Sequence, residues 1–425
     1  MPRDLIPYVE DDPSDGFHHW PVPAADPLDL VVSFDVHAHD RIRARMHGSA
    51  LPTLPYEHAA LLSVGTADVR AAAARLRAKW NAFVRHQPVD GRRIPVGPVL
   101  PFASGVDLRG HPALPAQLDA LVRAGTHLLF GVLLSGEDAA VRQFREHLVR
   151  ALEGRGRDGD GLRIRFDSEL GLPWPLLGLP GPGRGADGPE ALLDRLLGLR
   201  HQIEHSSPEY RFEAPAPPQP LPRVSLNHDK RVDRRSETCA AKVADALAHT
   251  TDPVVREDGQ QLVEDLREAV FEDRFMYFWC HGVYVASGPD TPYLTIRLSD
   301  GVDIDGLTVD ECREEHRGSP DARFQPFVLL NACHAGVWAP DHADTGALAR
   351  ALVRAGARGV LAPLIEMPQV FAAEYAHGFV TAFLTGAQSA GTVARALARR
   401  YATEFHNPLG AAYGLLCGMD HRLAR

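Results

Sequence analysis

Polar and apolar positions along the chain follow two periods. From Val32 to Met46 they alternate: Val32, Phe34, Val36, Ala38, Ile42, Ala44 and Met46 fall on one side, and Ser33, Asp35, His37, His39, Arg41, Arg43 and Arg45 on the other. Period two predicts a strand or hairpin with one wet face. From Thr66, which reads as a cap, Val69, Ala73, Leu76, Trp80 and Phe83 recur at helical spacing, predicting a helix over 67–86. The apolar run 127–134 reads as a buried strand, and Val141, Phe144, Leu148 and Leu152 as the inner stripe of the next helix. Leu162–Phe166 alternates again, as a further strand.

A proline-rich run from Ala214 to Pro222 excludes regular helix or inner strand and divides the chain. This gives an extended lead-in over 1–27, a first half over 28–205, a linker over 206–222 and a second half over 223–425. In the second half, short strands at 223–227, 275–280, 326–330 and 359–364 alternate with helices at 239–247, 258–271, 348–355 and 389–404. The row Phe371, Tyr375, Phe379 and Phe383 reads as core on one more helix, and Ala411–Leu416 as a last strand. The alternation predicts an α/β fold, a mostly parallel sheet flanked by helices, with its ligand crevice beyond the carboxyl ends of the strands.

Composition narrows the function. Of 425 residues, 45% are hydrophobic and 24% charged, and the formal net charge is −10. That balance suits a globular protein and disfavours a surface built to neutralise phosphates, so no nucleic-acid partner is expected. Five scattered cysteines make no disulfide framework and fit a reducing compartment. No apolar run approaches the roughly 18 residues of a membrane span. The start of the chain lacks the apolar core of a secretory signal, so a cytoplasmic location is expected.

The chemistry lies where two apolar strands end. Phe275–Cys280 runs into His281-Gly282, and Phe327–Leu330 into Asn331-Ala332-Cys333-His334. A histidine and a cysteine raised to the same rim of a parallel sheet supply a thiolate nucleophile and its proton acceptor. Their separation is close to the roughly 50 residues by which histidine precedes cysteine in caspases. Cys333 is the expected nucleophile and His281 the general base. Backbone N–H groups of Gly282 and Cys333 are the expected oxyanion donors. Period two turns Cys280 away from His281 into packing.

These two blocks resemble the active-site blocks of CHAT domains, caspase-like domains first described beside tetratricopeptide repeats. Leu170–Leu177, Gly356–Ala362 and Asn407–Tyr413 resemble further segments of that family, so that the likeness runs over roughly 30–425. The resemblance implies a caspase-like fold with an inactive first half and an active second half. Consistent with this, residues 1–238 contain no cysteine. It also implies a cysteine endopeptidase that needs neither metal nor cofactor and cleaves a dedicated protein partner, in bacterial defence or regulated proteolysis. With no short-period repeat in the sequence, an activating sensor is expected to act in trans. Asn331 and Glu366 are candidate substrate-binding residues; the plainer reading of Glu366 is a solvated loop charge. The chain departs from the family pattern at Pro175, Ile365 and Gln369, so a preference for a basic residue before the scissile bond does not carry over.

Two alternatives compete. A non-catalytic caspase-like adaptor would keep the fold and recruit partners. Asp35-Val36-His37-Ala38-His39 matches the opening of metal-dependent amidohydrolases, but it lies on the wet face of an amphipathic strand, whereas a first barrel strand should be apolar throughout. Asp344 and Thr345 read as opening the helix after the cysteine.

Overall fold

Alternation at the start of the chain builds an antiparallel meander of β1 (Leu30–His37), β2 (Arg41–His47) and β3 (His58–Leu62). Val32, Phe34, Ile42, Ala44 and Met46 are buried, as period two requires, while Val36 near the tip is exposed. The computed structural model describes residues 27–424 except 38–39, 54–56, 93, 155–160, 182–187, 207–209, 211–217, 233–237, 250, 286–292, 320 and 335–346. For residues 284, 293, 333, 334 and 347 it describes the backbone alone. The lead-in up to residue 26, Ala38, His39, Asp344 and Thr345 therefore lie outside the described residues.

The first half adds β4 (Arg163–Ser168) and β5 (Gln202–Ser206), parallel to β1 and to each other. The second half supplies β6 (Arg223–His228), β7 (Asp252–Arg256), β8 (Val270–Phe271), β9 (Phe275–Val285) and β10 (Tyr293–Arg297). It continues with β11 (Asp303–Ile304), β12 (Arg323–Phe324), β13 (Phe327–His334), β14 (Gly359–Pro363) and β15 (Tyr413–Leu416). Among the described residues, β8 and β12 pair only with each other. The other strands form one sheet in the order β11-β10-β9-β13-β14-β15-β5-β4-β1-β2-β3, with β6 beside β9 and β7 beside β6.

Helices flank this mixed α/β sheet. Its parallel strands are β7, β6, β9, β13 and β14 in one block and β15, β5, β4 and β1 in the other, joined by the antiparallel pair β14–β15. The two halves thus share one sheet, and the last strand of the chain pairs with a strand of the first half. One core, running from Leu30 to Leu423, includes side chains from both halves.

Central strands are apolar on both faces because both are covered. On β9, Phe275, Tyr277 and Trp279 enter the larger core, and Met276, Phe278 and Cys280 a second core beneath the helices 259–266, 306–314 and 347–355. Cys280 is fully buried, as expected. The aromatic row Phe371, Tyr375, Phe379 and Phe383 is buried on the helix Gln369–Phe383.

Several sequence expectations are corrected. Residues 127–133 are not a strand: they continue the helix Leu114–Thr126 as a π-helix, in which the Leu134 N–H donates to the Leu129 carbonyl at 3.0 Å. An all-apolar run does not tell strand from buried helix, and here no break separates it from the preceding helix. The helix expected over 258–271 stops at Leu266, and Val270 instead begins β8. Thr66 starts its helix without capping it; Gly65 is the cap, and the Thr66 hydroxyl donates to Asp40 at 2.6 Å. In the closing segment, Pro408–Ala412 forms a short 3₁₀ turn, so β15 begins only at Tyr413.

Candidate active site

The carboxyl ends of β6, β9 and β13 open on one rim, and the register of these parallel strands decides what meets there. Cys333 is paired directly with His281, and His334 with Gly282, at the last two rungs of the β9–β13 ladder. Residues paired across a ladder belong to one face of the sheet, and neighbouring strands lie about 4.8 Å apart. The two residues singled out by sequence therefore occupy adjacent positions on one face, continuing the row Tyr277, Trp279, His281 on β9.

β9 does not end at Cys280 as expected. It runs to Val285, because β10 turns back antiparallel and pairs with residues 281–285. Gly282 is thus a buried strand residue between Ile296 of β10 and His334 of β13, rather than the start of a turn. The other edge partner of β9 is β6, which pairs with Phe275–Trp279. His281 sits where the neighbour along that edge changes from β6 to β10.

The segment leaving β6 fills that changeover. The Asp229 N–H donates to the Trp279 carbonyl at 2.9 Å, and the carboxylate, fully buried, lies with Oδ2 3.7 Å from His281 Nε2. That distance is too long for a hydrogen bond but within ion-pair reach. Arg231 grips the same carboxylate in a fork: Nε donates to Oδ1 at 2.9 Å and Nη2 to Oδ2 at 2.9 Å. Nη2 also donates to the Leu298 carbonyl at 2.8 Å, which ties the guanidinium down. Burial pushes the Asp229 carboxyl upward, but the hydrogen bonds and charge of Arg231, aided by His281, outweigh it and hold the carboxyl below its ordinary range.

Sequence reasoning missed Asp229 and Arg231. The only signal was an Asp two residues after the expected short strand 223–227, which by itself marks nothing; its place beside His281 comes from β6 lying beside β9.

The remaining expected site residues are engaged within the fold. Asn331 is buried at 1% exposure, its Nδ2 donating to the Ala372 carbonyl at 2.9 Å and its Oδ1 accepting from the Tyr413 hydroxyl at 2.8 Å. Both ends of its amide are thus engaged inside the fold. Glu366 follows β14; its carboxylate pairs with Arg85, and its backbone N–H donates to Asn81 Oδ1 at 3.0 Å. Arg85 and Asn81 belong to the helix Thr66–Val84 and its cap, so Glu366 ties the second half to the first instead of standing as a solvated charge. In the amidohydrolase-like motif, Asp35 is bound by Arg45 across the β1–β2 hairpin at 2.7 Å, and His37 is exposed. Among the described residues, no helix is long and apolar enough to cross a membrane.

A mostly parallel sheet flanked by helices, with a histidine and a cysteine at paired positions on its carboxyl rim, defines a class, the α/β folds. A model of the CHAT domain family matches residues 185–409, more than half of the chain, and the chain belongs to that family of caspase-like cysteine proteases. The match begins near the end of the first half, so residues 30–184, included in the resemblance read from the sequence, lie outside it. Two crystal structures of the Saccharomyces cerevisiae separase–securin complex, at 3.0 and 2.6 Å resolution, align with this chain at 8% identity and a TM-score of 0.43. The alignments cover 92% and 91% of this chain but only 30% of that chain. No curated protein sequence matches.

Proposed function

We propose that this chain is a cysteine endopeptidase with Cys333 as nucleophile and His281 as general base and then general acid. The observation that carries the proposal is the direct pairing of Cys333 with His281 on adjacent strands at the carboxyl rim. His281 Nε2 is turned toward Asp229, so Nδ1 is the nitrogen assigned to exchange a proton with the thiol. The thiol proton passes to the imidazole, and the thiolate attacks the scissile carbonyl carbon. The carbonyl oxygen becomes an oxyanion, for which the backbone N–H groups of Gly282 and Cys333 are the assigned donors. Collapse of this intermediate breaks the C–N bond, and the imidazolium protonates the leaving amine. Water, deprotonated by the neutral imidazole, then hydrolyses the thioester and regenerates the thiol.

The substrate we assign is a dedicated protein partner, in a defence or regulated-proteolysis setting, with an activating sensor supplied in trans. The test is to map new N-termini when the protein meets candidate partner proteins, with Cys333→Ala and His281→Ala alongside. Fragments that arise with the native chain and disappear with both variants are expected. The same fragments from all three would refute the proposal.

A further inference from the structure

We propose that Asp229 is a positioning residue for His281: its buried carboxylate, fixed by Arg231, orients the imidazole and stabilises the imidazolium that forms as Cys333 gives up its proton. The inference rests on the dyad reading above.

Three observations carry it. First, the edge of β9 changes partner between Trp279, the last residue paired with β6, and His281, the first paired with β10. Asp229 stands in that gap, held by its backbone bond to Trp279. Second, the carboxylate is fully buried yet reaches His281 Nε2 at 3.7 Å, so a charge on the imidazole meets it with little intervening solvent. Third, the Arg231 fork fixes the orientation of the carboxylate before any proton moves, and a preorganised charge needs no rearrangement as the imidazolium forms.

Among the described residues, two other charges near the site have partners of their own. Arg297, opposite His281 on β10, is paired with Asp303, and Lys230 with Glu257 at 2.5 Å. Arg231 opposes a charge on His281, but the Asp229 carboxylate bonded to it offsets that opposition. Among the described residues, His228 at the end of β6 also feels the Asp229 charge, with burial holding its pKa below the ordinary value, Asp300 acts on Arg231, and Cys333 is paired with His281 on β13.

The sign follows. A carboxylate beside the imidazole favours its protonated form and so favours the thiolate–imidazolium pair over the neutral pair at pH 6–7. Loss of that charge should lower the thiolate fraction there. At high pH the thiol ionises whatever its neighbour, so the effect should vanish.

The experiment is the rate of iodoacetamide alkylation of Cys333, followed by peptide mapping from pH 5 to 10 in the native chain, Asp229→Asn, Asp229→Glu and His281→Ala. Asp229→Asn should slow alkylation about tenfold at pH 6–7, the equivalent of roughly one pKa unit, and leave the rate at pH 9.5 unchanged. Asp229→Glu should retain most of the rate. Native rates in Asp229→Asn at pH 6–7, with His281→Ala slow, would overturn the role of Asp229 while leaving the dyad standing. A native Cys333 that is slow at pH 6–7 and indifferent to His281→Ala would overturn both. Should Asp229→Asn not fold, NMR of the native chain with Cys333 already alkylated decides: His281 should titrate above its ordinary pKa of about 6.5, and titration below it would refute the proposal.

Discussion

Asn331 shows how a side chain inside an active-site motif is taken up by the fold. Its amide bridges the Ala372 carbonyl on the helix Gln369–Phe383 and the Tyr413 hydroxyl at the start of β15, all in the interior. Removing it deletes two buried hydrogen bonds. Asn331→Ala should cost about 2–3 kcal/mol in urea unfolding, and Tyr413→Phe less, about 1 kcal/mol. Glu366 carries a pH signature: burial raises its carboxyl above the ordinary value, against the opposing charge and hydrogen bond of Arg85. A raised acid binds more protons folded than unfolded, so its contribution to stability falls as pH rises from about 4.5 through the raised value. Glu366→Gln should remove that part of the pH dependence in unfolding measured across pH 4–7. At this scale, the placement of His281 and Cys333 on one rim was legible because each continues an apolar run. The contacts of Asn331 and Glu366, and the approach of Asp229 to His281, were not, because Ala372, Tyr413, Arg85 and His281 are far away from them in sequence.

Elements were legible where one face is buried and where both are, and less so at edges. β7 escaped the sequence pattern because it is an edge strand: Pro253 lies within it and Val255 is 56% exposed, so neither an apolar run nor alternation marks it. The length of β9 escaped for a related reason. Beyond Cys280 the strand is sustained by backbone pairing to β10, which hydropathy does not report. The 3₁₀ turn that delivers β15 depends on close approach: a Cβ on Gly410 would lie 2.6 Å from the Ala398 Cα on the helix Ala390–Phe405. Gly410→Ala should force that turn off the helix and cost about 1–3 kcal/mol, as overpacking of a filled core does. Chemical denaturation checks it; an unchanged midpoint would mean that the contact gives way.

Across the whole molecule, the sequence divided the chain into two halves, whereas the structure joins them. β15 lies between β14 and β5, and the larger core takes side chains from both sides of the linker. Residues 28–205 and 223–425 expressed separately should therefore fail to fold, since each would expose a sheet edge and half a core. Circular dichroism and gel filtration check this, and two folded fragments would contradict it. Acid sensitivity is likewise a property of the whole. Burial holds His201 and His421 neutral and lowers each to about 3 from an ordinary 6.5. Unfolding lets both take up protons, so the stability they contribute above pH 6.5 should be lost as pH falls from about 6.5 toward 3. Urea unfolding at pH 4–7 should show a decline that shallows in His421→Phe, a ring that keeps the stack on Phe327.

The dyad itself is tested most directly by competition among the five thiols of the native chain at pH 7. Cys239 is pushed up to about 12 by burial and the Glu374 charge, burial raises Cys312, and Cys280 and Cys417 are buried. Site-resolved alkylation with limiting iodoacetamide should therefore label Cys333 first in the native chain, and that lead should disappear in His281→Ala. Labelling of Cys333 at the same rate in both chains would contradict a thiol activated by His281.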